Sequence, residues 1–298
     1  MIVVTGAAGF IGQHLVRYLL KRTRERIIGL DNLHRGRWGD LSVLAQDGQL
    51  QLLEDDIRHP KVLQTAFEGA HTIYHLAAQS NVLGAVSDIG YSFETNVVGT
   101  FNVLRAAQAV GAGCVVFTSS REVYGEPCDL PVDENSPLAP KNAYGASKAA
   151  AEAYCRIFDT PEMRVMILRL SNVYGLGDRD RVIPIFAERV KQRLPLVLYG
   201  GEQVLDLVPV ELVVEALWRA AERQPTEPIN IGSGKGTTIK ALAQRMIELS
   251  GFPIKWELAP ARSVEVVRYV ASVERMHKWL ELTPPDDPLP QLPLVLAQ

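Results

Sequence analysis

Apolar residues along the chain fall into two alternating rhythms. Short runs rich in β-branched and aliphatic residues, "IVV" near the start and then "RIIGL", "LQLLEDDI", "TIYHLAA", "CVVFTSS", "RVMILRL" and "EPINIGS", predict strands. Between them, apolar residues recur at helical spacing, as Ile11, Leu15, Val16, Leu19 and Leu20 do, and as "NVVGTFNVLRAAQAVG" does over a longer stretch. Strand and helix in regular alternation predict an α/β fold built on a doubly wound, mostly parallel sheet. Residues 1–170, with 205–232 returning to them, are expected to form the main part. Residues 171–204 and 233–298 are expected to form a smaller C-terminal α/β part. The proline-rich tail "LTPPDDPLPQLPL" is expected to run as an extended surface segment.

Composition narrows the class without changing this picture. The 298 residues suffice for one large α/β domain or two smaller ones, and 47% hydrophobic with 22% charged residues is an ordinary soluble balance. With 31 basic and 34 acidic side chains the net charge is −3, so no nucleic-acid partner is expected. No apolar run reaches the ~18 residues needed to span a bilayer, and the N-terminus opens into a strand without a basic leader; a cytoplasmic protein with no membrane partner is expected. Cys114, Cys128 and Cys155 form an odd set without CxxC spacing, which indicates neither a disulfide framework nor a metal site.

The candidate chemistry begins at the first turn. Gly6, Gly9 and Gly12 follow the first strand and open the first helix. The first lets the strand turn, the second lets backbone approach a pyrophosphate, and the third lets helix pack on strand, with the helix N-terminus facing the phosphates. This is a Rossmann-type dinucleotide signal, and Phe10 and Ile11 lie within it. Asp31 ends the next strand, 19 residues past Gly12, where a carboxylate accepts hydrogen bonds from ribose hydroxyls and repels a 2′-phosphate; NAD is therefore expected over NADP. Asn32 follows it. Asp56 and Ile57 after one strand, and Leu76, Ala77 and Ala78 after another, are placed near the adenine and ribose, and Asn96 and Thr118 complete the expected cofactor contacts. His75 reads as a satisfied core histidine. "GSGKGTT" lacks the first glycine and the Ser/Thr of a phosphate loop and is rejected as one.

"NAYGASKAAAEAY" places Tyr144 and Lys148 four residues apart in an Ala-rich stretch, and so on one helix face. An ammonium or a nicotinamide cation near a phenol favours the phenolate, so a group with a reference pKa of ~10 could serve as a base near neutrality.

With "GAAGFIG" and "YGASK" stand "DNLHRG", "DDIR", "HLAAQ", "ETNVVGTFNVL", "SSREVYGE", "LRLSNVYG" and "INIGSG". In these motifs and their order the chain resembles the extended short-chain dehydrogenase/reductase family, specifically its nucleotide-sugar epimerases and dehydratases. The resemblance implies that Tyr144 is the catalytic base, that Lys148 holds the nicotinamide ribose and tunes Tyr144, and that Ser120 bonds the sugar hydroxyl being oxidised. The implied reaction is 4-epimerisation of a nucleotide sugar through a transient 4-keto sugar, with NAD as resident cofactor. The 4,6-dehydratases resemble "TDE" where this chain has "SRE"; Arg121 cannot deliver the proton that an aspartic acid would. Glu122 stands where a dehydratase or decarboxylase places a carboxylate, and it is kept as a catalytic candidate beside a reading in which it pairs with Arg121.

By the same resemblance Asn172 lies near the sugar or its diphosphate, and Arg262 in "APARSVE" clamps the diphosphate. "VLDLVPVEL" departs from the family pattern: Leu205 replaces a phosphate-binding arginine and Pro209 a histidine, which leaves the nucleotide base open. A homodimer packed through the helix from Lys148 to Ile157 and "TNVVGTFNVLRAAQAV" is expected. A decarboxylase or dehydratase, or a non-catalytic NAD-binding regulator, are the alternative readings.

Overall fold

The computed structural model describes residues 1–179, 181–262 and 264–297. Its strands are β1 (Ile2–Thr5), β2 (Ile27–Asp31), β3 (Leu50–Glu54), β4 (Thr72–His75), β5 (Cys114–Ser120), β6 (Arg164–Leu170), β7 (Asn172–Tyr174), β8 (Leu196–Tyr199), β9 (Val204–Pro209), β10 (Ile229–Ile231), β11 (Gly236–Thr238) and β12 (Trp256–Ala259). Seven of them form one sheet in the order β10-β6-β5-β4-β1-β2-β3, every pair parallel. The order reverses between β1 and β4, so the loops leaving these two strands diverge to opposite faces and open a crevice at their carboxyl ends.

The central strands are mostly apolar because both faces of the sheet are covered. In β5, Cys114 and Val116 point into one core with Leu15, Val213 and Leu217, whereas Val115 and Phe117 point into the other with Leu104, Ala151 and Cys155. The helices Phe10–Arg22 and Val210–Arg223 therefore lie on one face, and Thr100–Ala109 and Ala143–Phe158 on the other. Remaining strands make two small sheets, β11-β9-β7 and β12-β8, over a third core containing Tyr174, Phe186, Leu198 and Leu242.

The tail departs from expectation. Leu289, Leu292 and Val295 are buried in that third core and a helix runs from Leu292 to Ala297, so the segment is a packed part of the C-terminal half. Its prolines obscure the helical spacing of its leucines. "GSGKG" is also accounted for: the buried carboxylate of Asp206 accepts from the backbone N–H groups of Ser233 (2.6 Å) and Gly234 (3.0 Å), filling with protein the cradle that the glycines suggest. His75 is fully buried between the hydroxyls of Thr5 (2.8 Å) and Thr100 (2.9 Å), and burial lowers its pKa to about 3, as suits a neutral core histidine.

Candidate active site

A cleft of about 900 Å³ opens at the carboxyl ends of the sheet strands and runs on beneath the C-terminal part. Its floor is the turn after β1. Gly6 takes φ +73°, a Cβ there would lie 2.6 Å from the backbone N of Ala77, and one on Gly12 would lie 2.0 Å from the carbonyl oxygen of Gly6. Glycine is thus required for the helix start to approach the strand, and it leaves a shallow cradle bounded by Gly9, Phe10 and Ile11. Asp31 closes one side. Its carboxylate accepts from the N–H groups of Ala8 (3.0 Å) and Leu33 (2.9 Å); burial raises its pKa against those bonds. Each oxygen retains a lone pair for a further donor.

Of the other expected cofactor residues, Asn32, Ile57, Leu76, Ala77, Ala78 and Thr118 line the cleft. Asp56 and Asn96 are not among its lining groups. The Asp56 carboxylate is gripped by Arg58 (2.9 and 3.0 Å) and by Asn32 (2.8 Å); burial works to raise its pKa, but these bonds outweigh it and hold it at about 2. Asn96 is fully buried in a π-helical turn, Glu94–Gly99, whose extra residue turns the side chain inward. There it ties the backbone of Gln79 (2.8 and 3.1 Å) to the hydroxyl of Ser147 (2.9 Å), which bonds the Tyr144 carbonyl (2.8 Å). It positions the helix that carries Tyr144 and Lys148 from beneath.

That helix, Ala143–Phe158, starts at an N-cap on Asn142, whose side chain accepts from the N–H of Gly145 (2.9 Å). A Cβ on Gly145 would sit 2.3 Å from the carbonyl oxygen of Glu122, so only glycine lets the helix start touch the 3₁₀ turn Arg121–Val123. This contact brings Tyr144 beside Ser120, whose hydroxyl acts to lower the phenol's pKa. Lys148, one turn along and buried, donates to the Thr118 carbonyl (2.8 Å) and lies 4.7 Å from the centre of the Phe117 ring.

The electrostatics differ from the expectation of a phenol made acidic by its lysine. Burial pushes Tyr144 up to about 12, opposed by the Ser120 hydroxyl and by the charges of Arg181 and Arg121, while Glu122 adds to the rise. Burial also lowers Lys148 to about 8. Burial outweighs the charges that oppose it, so the protein without its cofactor keeps the phenol protonated.

Arg121 and Glu122 form a buried ion pair (2.9 Å). The other Glu122 oxygen accepts from the Asn142 side chain (2.7 Å), and Arg121 Nε donates to Asn172 Oδ1 (3.3 Å). At the far end Arg262 lies over the Tyr199 ring (4.1 Å) and pairs with Glu265 (3.1 Å), with Leu205 on the same cleft wall. Sequence reasoning missed Arg181, which caps the helix Val182–Lys191 at the cleft, pairs with Asp178 (3.1 Å) and acts on Tyr144. Nothing in "GDRDRV" marks one of its charges as facing inward.

The chain is 34% identical over 282 residues to a putative UDP-glucose 4-epimerase of Methanocaldococcus jannaschii, covering 92% of this chain and 90% of that one. Among solved structures it is similar to a dTDP-glucose 4,6-dehydratase of Streptomyces venezuelae with NAD bound (TM-score 0.94, 29% identity, 99% and 95% of the two chains). It is also similar to a UDP-glucose 4-epimerase of Thermotoga maritima with UDP-glucose (TM-score 0.92, 29% identity, 99% and 97%). A family pattern matches residues 2–232, and the chain belongs to the NAD dependent epimerase/dehydratase family.

Proposed function

We propose that the protein is an NAD-dependent nucleotide-sugar 4-epimerase. The observation that carries this reading is the state of the residues around Ser120: Glu122 is held in a buried ion pair with Arg121 and by the Asn142 side chain, and an arginine that cannot release a proton stands beside Ser120. Proton handling then falls to Tyr144 and Ser120, enough for oxidising and re-reducing one carbinol carbon but not for eliminating water.

The residues present fit the cofactor. The cradle at Gly6, Gly9 and Gly12 admits a pyrophosphate because any Cβ on Gly6 or Gly12 would collide with backbone. Asp31 and Asn32 receive the adenosine ribose, Ile57, Leu76, Ala77 and Ala78 flank it, and Thr118, Tyr144 and Lys148 stand at the nicotinamide end. When bound, NAD supplies a hydride acceptor that returns the hydride, and a positive ring charge. Ser120 orients the sugar hydroxyl; with the added positive charge of a bound nicotinamide ring, Tyr144 would first release its own proton to water and then, as phenolate, take the hydroxyl proton as the carbonyl forms and restore it on reduction. Asn172 and Arg262 bind along the sugar diphosphate.

Incubation with a panel of UDP-, dTDP- and GDP-sugars, followed by chromatography and mass spectrometry, tests the assignment. The expected product has the mass of its substrate and differs at one sugar carbon, with no net NADH. Loss of water or carbon dioxide from the substrate would instead assign a dehydratase or decarboxylase.

The partner we propose is a second copy of the chain. Val98 on the turn before Thr100–Ala109, and Tyr154 and Ile157 on the catalytic helix, are exposed, Ile157 at 77%. They make an apolar strip across the two adjacent helices named above, of the kind that marks an interface. Light scattering at micromolar concentration should return twice the chain mass; a monomer mass overturns the dimer.

A further inference from the structure

The third core ends at an open sheet edge. β12 pairs in parallel with β8 on one side, and no other strand lies beside it among the described residues. The carbonyls of Lys255 and Ala259 accept from the N–H groups of Leu196 (2.9 Å) and Gly200 (2.8 Å), so the odd-numbered backbone groups face β8. Hydrogen-bonding groups alternate in direction along a strand, and those of Trp256 and Leu258 therefore point away from the sheet. Their side chains share a face with Leu196 and Leu198, which are fully buried, yet Trp256 is 41% and Leu258 58% exposed. Unpaired backbone beside uncovered apolar side chains is a template for one more strand.

The charges along this edge say which strand fits. Lys255 and Glu257 project from the other face, both exposed and neither in an ion pair among the described residues. A second copy of β12, antiparallel about a twofold axis, can bring the free backbone groups together when the axis passes residue 255, 256, 257 or 258. Centring on Lys255 or Glu257 sets like charges directly opposite, and centring on Leu258 sets Pro260, which has no N–H, across from Trp256. Centring on Trp256 instead sets Lys255 of each copy across from Glu257 of the other, and Leu258 across from Ile254, itself packed on the third core. In that register each Trp256 N–H meets the other Trp256 carbonyl, and each Leu258 N–H meets an Ile254 carbonyl; the Ile254 N–H is already given to Phe252 (2.9 Å). Pairing uses up the edge of both copies and so stops at two.

We infer that β12 is a self-association strand, through which two copies of the chain join their β12-β8 pairs into one four-stranded sheet. The inference is independent of the epimerase reading, and the surface lies on other elements than the strip of Val98, Tyr154 and Ile157. A contact this short falls below the ~1,000 Å² of a stable interface, so it forms near ~10⁻⁴ M and not at micromolar concentration. Sedimentation of the full chain at low salt, from ~1 to ~500 µM, tests it, because exposed charges are then least screened. The mass should double across that range, from whichever mass stands at micromolar concentration. Lys255→Glu and Glu257→Lys should each weaken the doubling at least about tenfold, since each turns two attractions into two repulsions. The double variant Lys255→Glu/Glu257→Lys should restore it, and so should an equimolar mixture of the two single variants, in which every charge again meets its opposite. All four changes lie on exposed side chains and leave the bonds to β8 intact. A constant mass up to the highest concentration, a doubling that either single change leaves intact, or a double variant that stays apart overturns the proposal. A monomer at micromolar concentration that doubles only by this route would leave the strand standing and sink the helix-packed dimer instead.

Discussion

Tyr144→Phe is expected to lower kcat by about 10³, within the ~10²–10⁴ range of general acid–base catalysis and equivalent to about 4 kcal/mol of barrier. Binding of NAD and nucleotide sugar should stay within a few-fold, because the ring and its packing are retained and only the oxygen beside Ser120 is lost. The protein raises this phenol to about 12 and sets it beside the Ser120 hydroxyl and two guanidinium charges, so it becomes a base only when a further positive charge, that of a bound nicotinamide ring, joins them. Glu122→Gln makes the contrast. It keeps side-chain size and an acceptor for Arg121, and activity should remain within tenfold of wild type. Single-turnover rates on the two variants check both statements. A Glu122→Gln protein below a hundredth of wild-type activity makes the carboxylate a catalyst, and a Tyr144→Phe protein within tenfold of wild type removes the proton-transfer mechanism.

What could be read in the sequence follows from which interactions are local. The strand–glycine–helix turn, Asp31 at the end of β2, and Tyr144 one turn from Lys148 are short-range patterns, and the structure brings all of them to one cleft. The strand runs were equally legible, since a parallel strand covered on both faces is mostly apolar. Contacts between distant segments were not. Asp56 is spent on Arg58 instead of facing the cleft, a choice between two partners that no spacing encodes. Asn96 lies in a turn with one residue beyond α-helical register, and periodicity averages such an insertion away. Arg181 and the tail leucines share this difficulty: the first lies in a charged loop and the others in a segment interrupted by prolines, so only the assembled cleft and core show which side chains turn inward.

Stability should respond most sharply beneath the site, at Glu152. Arg169 is 1% exposed, and its guanidinium is held by both Glu152 oxygens (2.9 and 2.7 Å), the Tyr124 hydroxyl (2.8 Å) and the Glu134 carbonyl (3.1 Å). Glu152 also accepts from Ser119 (2.5 Å) and Arg156 (3.1 Å). Glu152→Leu strands a buried cation, and the expected loss is about 3–5 kcal/mol, a large part of the ~5–15 kcal/mol that holds a folded domain together. Denaturant unfolding should show a lower midpoint at unchanged slope. Removing the partner as well, in Glu152→Leu/Arg169→Met, should recover most of the loss, because an apolar pair of similar volume carries no desolvation cost. The network is also a strut: Ser119 precedes Ser120, and Glu152 lies about two turns below Tyr144 on the same helix. The single variant should therefore lose activity before it unfolds, by loosening the Ser120–Tyr144 contact. A single variant that loses under 1 kcal/mol, or a double variant no more stable than the single, would show that Arg169 finds water or another anion when Glu152 is gone.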